Sequence, residues 1–454
     1  MATKFGERKY WSEWVETEPR DEMRALQERK LRKHAQYIFT HSRFGHDQFK
    51  KAKITPDDVM KIEDLARVPY MNKGVQVAHL KEEGDDYGGF ICRPFEDVIK
   101  DAAWAFSTSG TTSKPRRFLL NREEWDIFAD CTARYVWCMG LRPGDVAFLP
   151  FPLTLWLAGW GFLLAFQKIG ITPIPAGPPS DTKQRLEFIR DFRATALVGT
   201  PSYLLHMASV AGEMGLDVKD FKLKHLLLGG EPLTESTRER VEKIYGAPGS
   251  TRNTVGISET SPPVAVGAEC EEQGGFHCNF EDRMIYQFLK PDSNEPATPG
   301  EEAELVLTCL NQKTVITGFN FRTRDLCIYD DSPCKCGRTS PRFNIIGRMD
   351  DMVKIRAINI FPSTIDDIIR KAPEMGSEFQ MIIEKKGELD LVTVKAEPLP
   401  EVEEKDYPAL KKRLEGAIVD ALAIKMPIEF VPFGSLPRYE VKPKRWLDLR
   451  DKVK

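Results

Sequence analysis

Apolar segments alternate with amphipathic segments from Ala102 to about Arg342, and this rhythm limits the folds open to the chain. ATALVGT, KHLLLGG and AELVLTCL fit buried strands, whereas TKQRLEFIRDF and TESTRERVEKIY fit amphipathic helices. In the second helix we expect Thr234 to be the N-cap. Strands joined by crossover helices are typical of an α/β fold, which we predict here.

The pattern changes on either side of this region. Residues 1–100 are charged and helical in pattern, with QERKLRKHAQYIFTHSRF as an amphipathic helix, and we expect them to form a surface arm and lead-in. After GRMDD, strands such as FQMIIE and LVTVKA surround helices such as TIDDIIRKA. We therefore predict a large N-terminal domain over 1–347, a boundary at 348–351 and a small α+β domain over 352–454.

Composition excludes some classes of function. The chain has 454 residues, 29% of them charged, and a formal net charge of -3. Its size favours more than one domain, and its charge balance does not favour binding to nucleic acid or an anionic membrane. The N-terminus lacks a secretory signal and the nine cysteines are an odd number, so we expect a cytoplasmic protein with reduced thiols.

One uncharged segment tests the prediction of a protein outside the membrane. Residues 146–166 read VAFLPFPLTLWLAGWGFLLAF and are long enough to cross a bilayer, but prolines and glycines interrupt them. A membrane span and a buried core element or aromatic pocket wall both fit this composition. We favour the buried element.

The loop from Ser107 to Lys114 combines hydroxyl side chains, a glycine and a lysine directly after the apolar run AAWAF. Backbone N–H groups and hydroxyls in such a loop can donate to phosphate oxygens, and a lysine can offset the charge on a departing pyrophosphate. A solvated Ser/Thr linker has the same composition. Other motifs have to decide between the two.

Five more motifs follow in a fixed order: GGEP (229–232), VGISET (255–260), FRTRDL (321–326), GRMDDMVKIRAINIFPSTI (347–365) and LPRYEVKPKR (436–445). The set resembles the adenylate-forming superfamily, and most closely its phenylacetate–coenzyme A ligase family. TPSYLL (200–205) and VPYMNK, which ends at Lys73, add to the resemblance, which covers almost the whole chain.

The resemblance implies an adenylate-forming N-terminal domain of layered sheets and helices, a mobile C-terminal domain, and ATP, Mg²⁺ and coenzyme A as ligands. It places the phosphate loop around the ATP phosphates, GGEP along the adenine, Ser258 facing the α-phosphate and Asp325 on the ribose hydroxyls. The nucleotide-binding residues that it implies are Ser107, Ser109, Gly110, Thr111, Thr112, Lys114, Gly230, Glu231, Pro232, Ser258, Asp325 and Arg348.

Three further roles also come from the resemblance. Glu259 is implied to hold Mg²⁺, a role that suits a hard oxygen ligand beside phosphate. Asp350 falls at the superfamily's hinge, and Lys442 aligns with the lysine that catalyses adenylation. The corresponding alternatives are an ordinary loop carboxylate for Glu259 and a solvated basic tail for Lys442.

Cys334 and Cys336 form a close thiol pair, and Cys270 and His277 lie upstream in AECEEQGGFHC. Four such ligands can form a tetrahedral, structural Zn²⁺ site. A matching cysteine and histidine pattern recurs among zinc-containing members of the family, which strengthens this prediction. Cys278 is a substitute ligand, and the alternative is a set of unmetallated thiols with a solvated histidine.

The sequence departs from the family's motifs at a few positions. Ser113 replaces a glycine of the phosphate loop, and Val255 replaces an aromatic residue that stacks on adenine. Ala357 replaces a glycine that lines the approach of coenzyme A, which bears on the thioester step.

The family's acid pocket corresponds to residues near Phe151 to Phe162. Phe151, Trp156 and Trp160 are the candidate pocket residues, and they would suit an aromatic or otherwise flat acid. A core strand and helix would use the same residues.

The leading prediction is an acid–coenzyme A ligase whose partner is a small carboxylic acid, with no nucleic acid or membrane partner and with a homodimer as an open option. The first alternative is an enzyme that adenylylates its substrate without forming a coenzyme A thioester. The second is a non-catalytic nucleotide-binding protein on the same fold.

Overall fold

The computed structural model describes residues 5–82, 86–108, 115–350, 352–355, 358–386, 389–437 and 445–450. The α-helices in these ranges are α1 (Glu13–Glu16), α2 (Arg20–His41), α3 (Arg43–Ala52), α4 (Lys73–Glu82), α5 (Phe95–Asp101), α6 (Arg122–Cys138), α7 (Leu157–Ile169), α8 (Thr182–Asp191), α9 (Pro201–Glu213), α10 (Glu235–Tyr245), α11 (Pro362–Lys371) and α12 (Tyr407–Leu422).

The strands are β1 (Ala102–Ser107), β2 (Arg117–Asn121), β3 (Val146–Leu149), β4 (Thr172–Pro175), β5 (Ala196–Gly199), β6 (His225–Gly229), β7 (Thr251–Gly256), β8 (Ala265–Ala268), β9 (Phe276–His277), β10 (Met284–Leu289), β11 (Glu302–Cys309), β12 (Phe321–Asp330), β13 (Arg342–Arg348), β14 (Val353–Ile355), β15 (Ile358–Ile360), β16 (Met375–Lys386), β17 (Leu389–Pro398), β18 (Ile428–Phe430) and β19 (Trp446–Asp448).

An eleven-stranded sheet in the order β10-β11-β12-β13-β9-β8-β7-β6-β5-β3-β4 organises the N-terminal part of the chain. Strands β3 to β7 run parallel, and α7, α8, α9 and α10 connect them in turn. The pairs from β7 to β10 across the other half are antiparallel. The α/β fold predicted from the alternating segments is confirmed.

The central parallel strands β3, β5 and β6 are mainly buried, as expected for strands covered on both faces by crossover helices. All four residues of β5 are buried. Helix α10 begins where the sequence predicts, since the Thr234 hydroxyl accepts a hydrogen bond from the amide of Thr237 at 3.3 Å. It ends at Tyr245 and is followed by the C-cap Gly246, whose φ of 64° suits a residue without a Cβ.

Helix α2 is an integral part of the core. Leu31 and Ile38 on its inner face are buried against residues of the large sheet and its loops, among them Ile285 and Phe319. The expectation of a surface arm is wrong for this helix, because its apolar face is covered by the sheet.

The uncharged segment 146–166 is divided between two elements, as its prolines and glycines suggest. It contributes β3 and the first turns of α7, and Phe162 and Phe166 of that helix are buried in the main core. Among the described residues, no helix has the length and apolar character needed to cross a membrane.

Residues beyond β13 pack around a hydrophobic core of their own. Strands β16 to β19 form a four-stranded sheet, and α11 and α12 cover it with residues such as Ile365, Ile369 and Leu414. Helix α11 also faces α10 of the N-terminal part. There the Ser236 hydroxyl donates to Asp367 Oδ1 at 3.1 Å, and Arg240 donates to the Met375 carbonyl at 3.5 Å.

Candidate functional site

The carboxyl ends of parallel strands β3, β5, β6 and β7 bring four sequence motifs to one edge of the sheet. Phe151, Thr200, Gly230 and Ser258 each lie in the segment that follows one of these strands. This edge is where open α/β sheets bind their ligands.

Gly229 and Gly230 shape the turn of GGEP. A Cβ at Gly229 would lie 2.9 Å from the Thr254 carbonyl oxygen on β7, and Gly230 has a φ of 80°. Neither position accommodates a side chain without strain. The two glycines therefore let the backbone turn close to β7 and leave Glu231 and Pro232 at the sheet edge.

Glu231 connects the ends of β5 and β6. The Ser202 hydroxyl donates to its Oε1 at 2.7 Å, and the Ser202 amide donates to its Oε2 at 3.1 Å. The carboxylate thus also caps the N-terminus of α9, where the helix dipole favours negative charge. Ser202 lies within the quoted TPSYLL motif, but no role for it was predicted.

The phosphate loop closes a hairpin between β1 and β2, in which Ser107 pairs with Arg117. The Thr108 amide donates to the Arg116 carbonyl at 3.0 Å, and the Arg116 amide donates to the Thr108 hydroxyl at 3.0 Å. These bonds fix the two ends of the loop. Ser109, Gly110, Thr111, Thr112 and Lys114 lie outside the described residues.

The side chain of Glu259 is paired with Arg116 at the base of this loop. The Arg116 guanidinium also donates to Gln76 Oε1 at 3.0 Å. The side chains of Arg116 and Glu259 are only 8% and 9% exposed. A charge removed from water to this degree needs a partner, so the pair neutralises two groups that would each be costly to bury alone.

The backbone of Glu259 is held as firmly as its side chain. Its carbonyl accepts from Gln312 Nε2 at 2.9 Å and from the Thr317 hydroxyl at 2.7 Å, while the Thr317 carbonyl accepts from Gln76. Sequence reasoning missed Gln76, Gln312 and Thr317. These three residues lie outside the quoted motifs, and no local sequence pattern indicates a role for them.

Asp325 and Arg348 are neighbours on β12 and β13 and form an ion pair. The amide of Asp325 donates to the Thr323 hydroxyl at 3.0 Å, which fixes the strand at this point. Arg348 also lies 3.4 Å from Asp350 Oδ2. The candidate ribose ligand and the candidate hinge residue are therefore connected through one guanidinium.

The candidate pocket residues fall into two groups. Phe151 and Trp156 are in edge-to-face contact, with ring centroids 5.1 Å apart, and Trp156 is 38% exposed. Trp160 packs instead with Trp104 at 5.0 Å, and its indole N–H donates to the Thr154 carbonyl at 2.8 Å. Trp104, on β1 beside the phosphate loop, is an aromatic residue that the sequence did not single out.

Cys270, His277, Cys334 and Cys336 converge, with their ligand atoms all within 4.8 Å of one another and all four residues buried. Cys270 Sγ lies 3.8 Å from Cys334 Sγ, and Cys336 Sγ lies 3.4 Å from His277 Nε2. Hydrogen bonding from Cys270 and then from His277 lowers the pKa of the Cys336 thiol well below its usual range. The thiolate is the form that binds metals.

Two further features suit a metal centre. His277 Nδ1 lies 3.1 Å from the Ser340 hydroxyl, a contact that orients the ring with Nε2 toward the cysteines. The N-terminal segment covers the cluster, since the Tyr10 hydroxyl donates to the Cys336 carbonyl at 3.1 Å and Glu16 pairs with Arg338 at 2.8 Å. Cys278, the substitute ligand, is buried but lies outside this group of four.

Lys442 and Ala357 lie outside the described residues, as do Ser113 and the last residues of LPRYEVKPK.

Comparison with known families matches residues 25–308 to the AMP-binding enzymes and residues 357–450 to the AMP-binding enzyme C-terminal domain. The phenylacetate–coenzyme A ligase of Thermus thermophilus is 30% identical over 96% of this chain and 98% of its own length. The ligase of the same name from Escherichia coli is 28% identical over 97% and 98%.

Comparison with solved structures also finds a coenzyme A ligase. A 2-hydroxyisobutyryl-CoA ligase in the postadenylation state with 2-HIB-AMP is 26% identical, covers 100% of this chain and 94% of its own, and has a TM-score of 0.90. The same ligase in the thioesterification state with 2-HIB-AMP and CoA, at 27% identity over 99% and 94%, has a TM-score of 0.71. The whole chain is thus more similar in structure to that ligase in its postadenylation state than in its thioesterification state.

Proposed function

The chain belongs to the AMP-binding enzyme family, and from that membership we propose that it activates a carboxylic acid with ATP and transfers the acyl group to coenzyme A. The observation that carries the proposal is similarity over nearly the full length of both chains, 96% and 98% with the Thermus ligase. The C-terminal domain, which the second half-reaction needs in this family, is included in that match. The relatives are coenzyme A ligases by name, so an enzyme that stops at the adenylate is not favoured.

The proposed substrate is an aryl or arylacetic acid. The full-length relatives act on phenylacetate, and a 4-chlorobenzoate–CoA ligase from Arthrobacter is 23% identical over 70% of this chain. Phe151 and Trp156 form an edge-to-face aromatic pair beyond the carboxyl end of β3, and such an apolar surface suits a flat ring.

In the proposed first step a carboxylate oxygen attacks the α-phosphorus of ATP in line, and pyrophosphate leaves. The chain's contribution is to position the reactants and to stabilise developing charge. We assign the phosphate loop with Lys114 to the β- and γ-phosphates, Asp325 to the ribose hydroxyls and Lys442 to the charge on the α-phosphate. Gly230, Glu231 and Pro232 border the adenine, and Ser258 faces the α-phosphate.

Glu259 is the proposed magnesium ligand. It is a carboxylate in a fixed backbone beside the phosphate loop, and its present partner is a cation, Arg116, whose place Mg²⁺ would take or share. Mg²⁺ bound there would neutralise phosphate charge as pyrophosphate departs. Arg116 would keep the Glu259 side chain oriented before the nucleotide binds.

The buried cluster of three cysteines and one histidine is proposed to hold Zn²⁺. The donor set and the oriented imidazole fit a closed tetrahedral site, which is structural in other proteins. Since the N-terminal segment binds over this cluster through Tyr10 and Glu16, the metal would fix that segment to the sheet.

The domain limits are proposed as 1–347 and 352–454, with residues 348–351 as the hinge at Asp350. The separate core beyond β13 supports this division. A cytoplasmic location and a homodimer stay predictions.

Acid-dependent exchange of pyrophosphate into ATP tests the adenylation step, and mass spectrometry of the thioester tests the second step. Phenylacetate, benzoate, a hydroxybenzoate and a short aliphatic acid form the substrate panel. We expect exchange and an acyl-CoA product with at least one aryl acid, and neither with Lys442→Ala. Exchange without thioester would refute the coenzyme A step, and a preference for the aliphatic acid would refute the substrate class.

A further inference from the structure

We propose that Arg324 is a positioning residue that holds the hinge carboxylate of Asp350 in the domain arrangement in which the acid is adenylated. The inference rests on the proposed function for its consequence in catalysis. Its structural part, the coupling of Arg324 to the domain arrangement, can be tested without any substrate.

Arg324 occupies a backbone conformation that arginine rarely adopts. Its φ is 65°, in the left-handed region that favours glycine. Its carbonyl accepts a hydrogen bond from the amide of Met349 at 2.8 Å, so the unusual turn lies directly against the hinge segment. A side chain kept at such a position needs compensating contacts.

Those contacts are ionic. The guanidinium lies 2.8 Å from Asp292 Oδ1, 3.4 Å from Asp350 Oδ1 and 3.7 Å from Glu304 Oε1. Three carboxylates from separate segments thus surround one cation. Only one of them, Asp350, belongs to the hinge.

Glu304 explains why the guanidinium stays in place. Its side chain is fully buried, and Arg322 pairs with Oε2. Among the described residues, Oε1 has no hydrogen-bond partner, and Arg324 supplies the nearby positive charge. Arg322 compensates one oxygen of this buried carboxylate, so moving Arg324 away would leave the other oxygen, Oε1, without its nearby cation.

Asp350 is also held from its other side. Arg348 lies 3.4 Å from Asp350 Oδ2 and pairs with Asp325, the proposed ribose ligand. The hinge carboxylate therefore lies between two guanidinium groups, each anchored on a strand of the large sheet. Rotation of the backbone at Asp350 would break both contacts. Arg348 is held by Asp325, the proposed ribose ligand, whereas Arg324 is held by Asp292 and Glu304, which have no proposed role in nucleotide binding.

The interface between α10 and α11 reports on the same arrangement. The Ser236 hydroxyl and Asp367 Oδ1 are 3.1 Å apart, and Arg240 reaches the Met375 carbonyl. The whole arrangement is more similar to a postadenylation state, at a TM-score of 0.90, than to a thioesterification state, at 0.71. The proximity of residues 236 and 367 therefore reports the fraction of molecules that have this domain arrangement.

The test is the rate at which a short bifunctional thiol reagent cross-links Ser236→Cys to Asp367→Cys in the full chain. All nine native cysteines are buried, which favours reaction at the introduced pair, and each single-cysteine variant measures background. We expect Arg324→Gln to slow cross-linking about fivefold, because one partly exposed ion pair shifts a two-state population by roughly that factor. Arg324→Lys, which keeps the charge, should stay within about twofold of the parent.

Arg342→Gln is the matched control. Arg342 also lies on a strand of the large sheet, and its side-chain hydrogen bonds within the described part of the chain go to Asp330 and Ser332, which lie outside the hinge. We expect its cross-linking rate to equal the parent's. An unchanged rate in Arg324→Gln, or an equal loss in Arg342→Gln, would overturn the proposal.

The rates of the two half-reactions test whether the contact between Arg324 and Asp350 affects catalysis. In Arg324→Gln, pyrophosphate exchange should fall about fivefold, whereas single-turnover thioester formation from preformed acyl-adenylate should not fall. A merely structural role would lower both. If the parent makes no acyl-adenylate, the proposed function fails while the cross-linking result still decides the role of Arg324.

Discussion

The buried pair of Arg116 and Glu259 gives the sharpest test of the site. In Arg116→Gln, the carboxylate of Glu259 would lose its cation while its backbone remains fixed by Gln312 and Thr317. Removing one partner of a buried ion pair costs about 3–5 kcal/mol. The side chains of this pair are 8% and 9% exposed, so solvent screens little of that cost.

The assay is urea unfolding followed by tryptophan fluorescence. With a slope of about 3 kcal/mol per molar urea, a loss of about 3 kcal/mol lowers the midpoint of the N-terminal transition by about 1 M. The double variant Arg116→Gln/Glu259→Gln should lose less than Arg116→Gln alone, because it leaves no unpaired charge.

Magnesium provides the second half of this test. If Glu259 binds Mg²⁺, the unpaired carboxylate of Arg116→Gln should gain about 1.4 kcal/mol from a magnesium concentration ten times its Kd. The double variant should gain nothing, since it has lost the ligand.

Arg117→Gln is the control, because Arg117 pairs with Asp86 at the surface, with side chains 43% and 57% exposed. Such a pair contributes at most about 1 kcal/mol. The reasoning fails if Arg116→Gln is as stable as Arg117→Gln. It also fails if magnesium stabilises the double variant as much as Arg116→Gln.

Three further predictions concern the metal centre, the GGEP turn and the ribose contact. Metal analysis of the purified protein should find one equivalent of zinc, and Cys336→Ala should lose it. In this variant, mass spectrometry should detect increased proteolysis before residue 18, because the N-terminal segment binds over the cluster. A fully active parent protein without metal would contradict this prediction. Gly229→Ala places a Cβ 2.9 Å from the Thr254 carbonyl and should cost about 1–3 kcal/mol in urea unfolding, whereas Gly212→Ala, with open space around it, should cost nothing. Asp325→Asn should raise the KM for ATP about tenfold with little change in the KM for the acid, and equal effects on both would refute a ribose contact.

The sequence was sufficient for the parts of the fold that depend on local pattern. Alternating apolar and amphipathic segments predicted the parallel strands and their helices, and Thr234 predicted the start of α10. The cysteines and histidine were also brought together as predicted, although Cys270 and Cys334 are far apart in sequence. Chemistry-bearing residue types are visible in a sequence even when their partners are distant.

Other features depend on tertiary contacts that no local pattern carries. Helix α2 has the composition of a surface helix, yet Leu31 and Ile38 are buried by strands that come over 240 residues later. The cation that faces Glu259 is Arg116, which lies two residues beyond the phosphate loop and has no predicted role. Gln76 and Gln312 support this pair without belonging to a recognisable motif.

Ligation of an acid to coenzyme A through an adenylate is tested most directly by the product balance of a single reaction with ATP, Mg²⁺, coenzyme A and an aryl acid. We expect AMP, pyrophosphate and acyl-CoA in equal amounts, all dependent on the acid and all lost in Lys442→Ala. Formation of ADP and phosphate, or AMP release that does not depend on any acid, would contradict it.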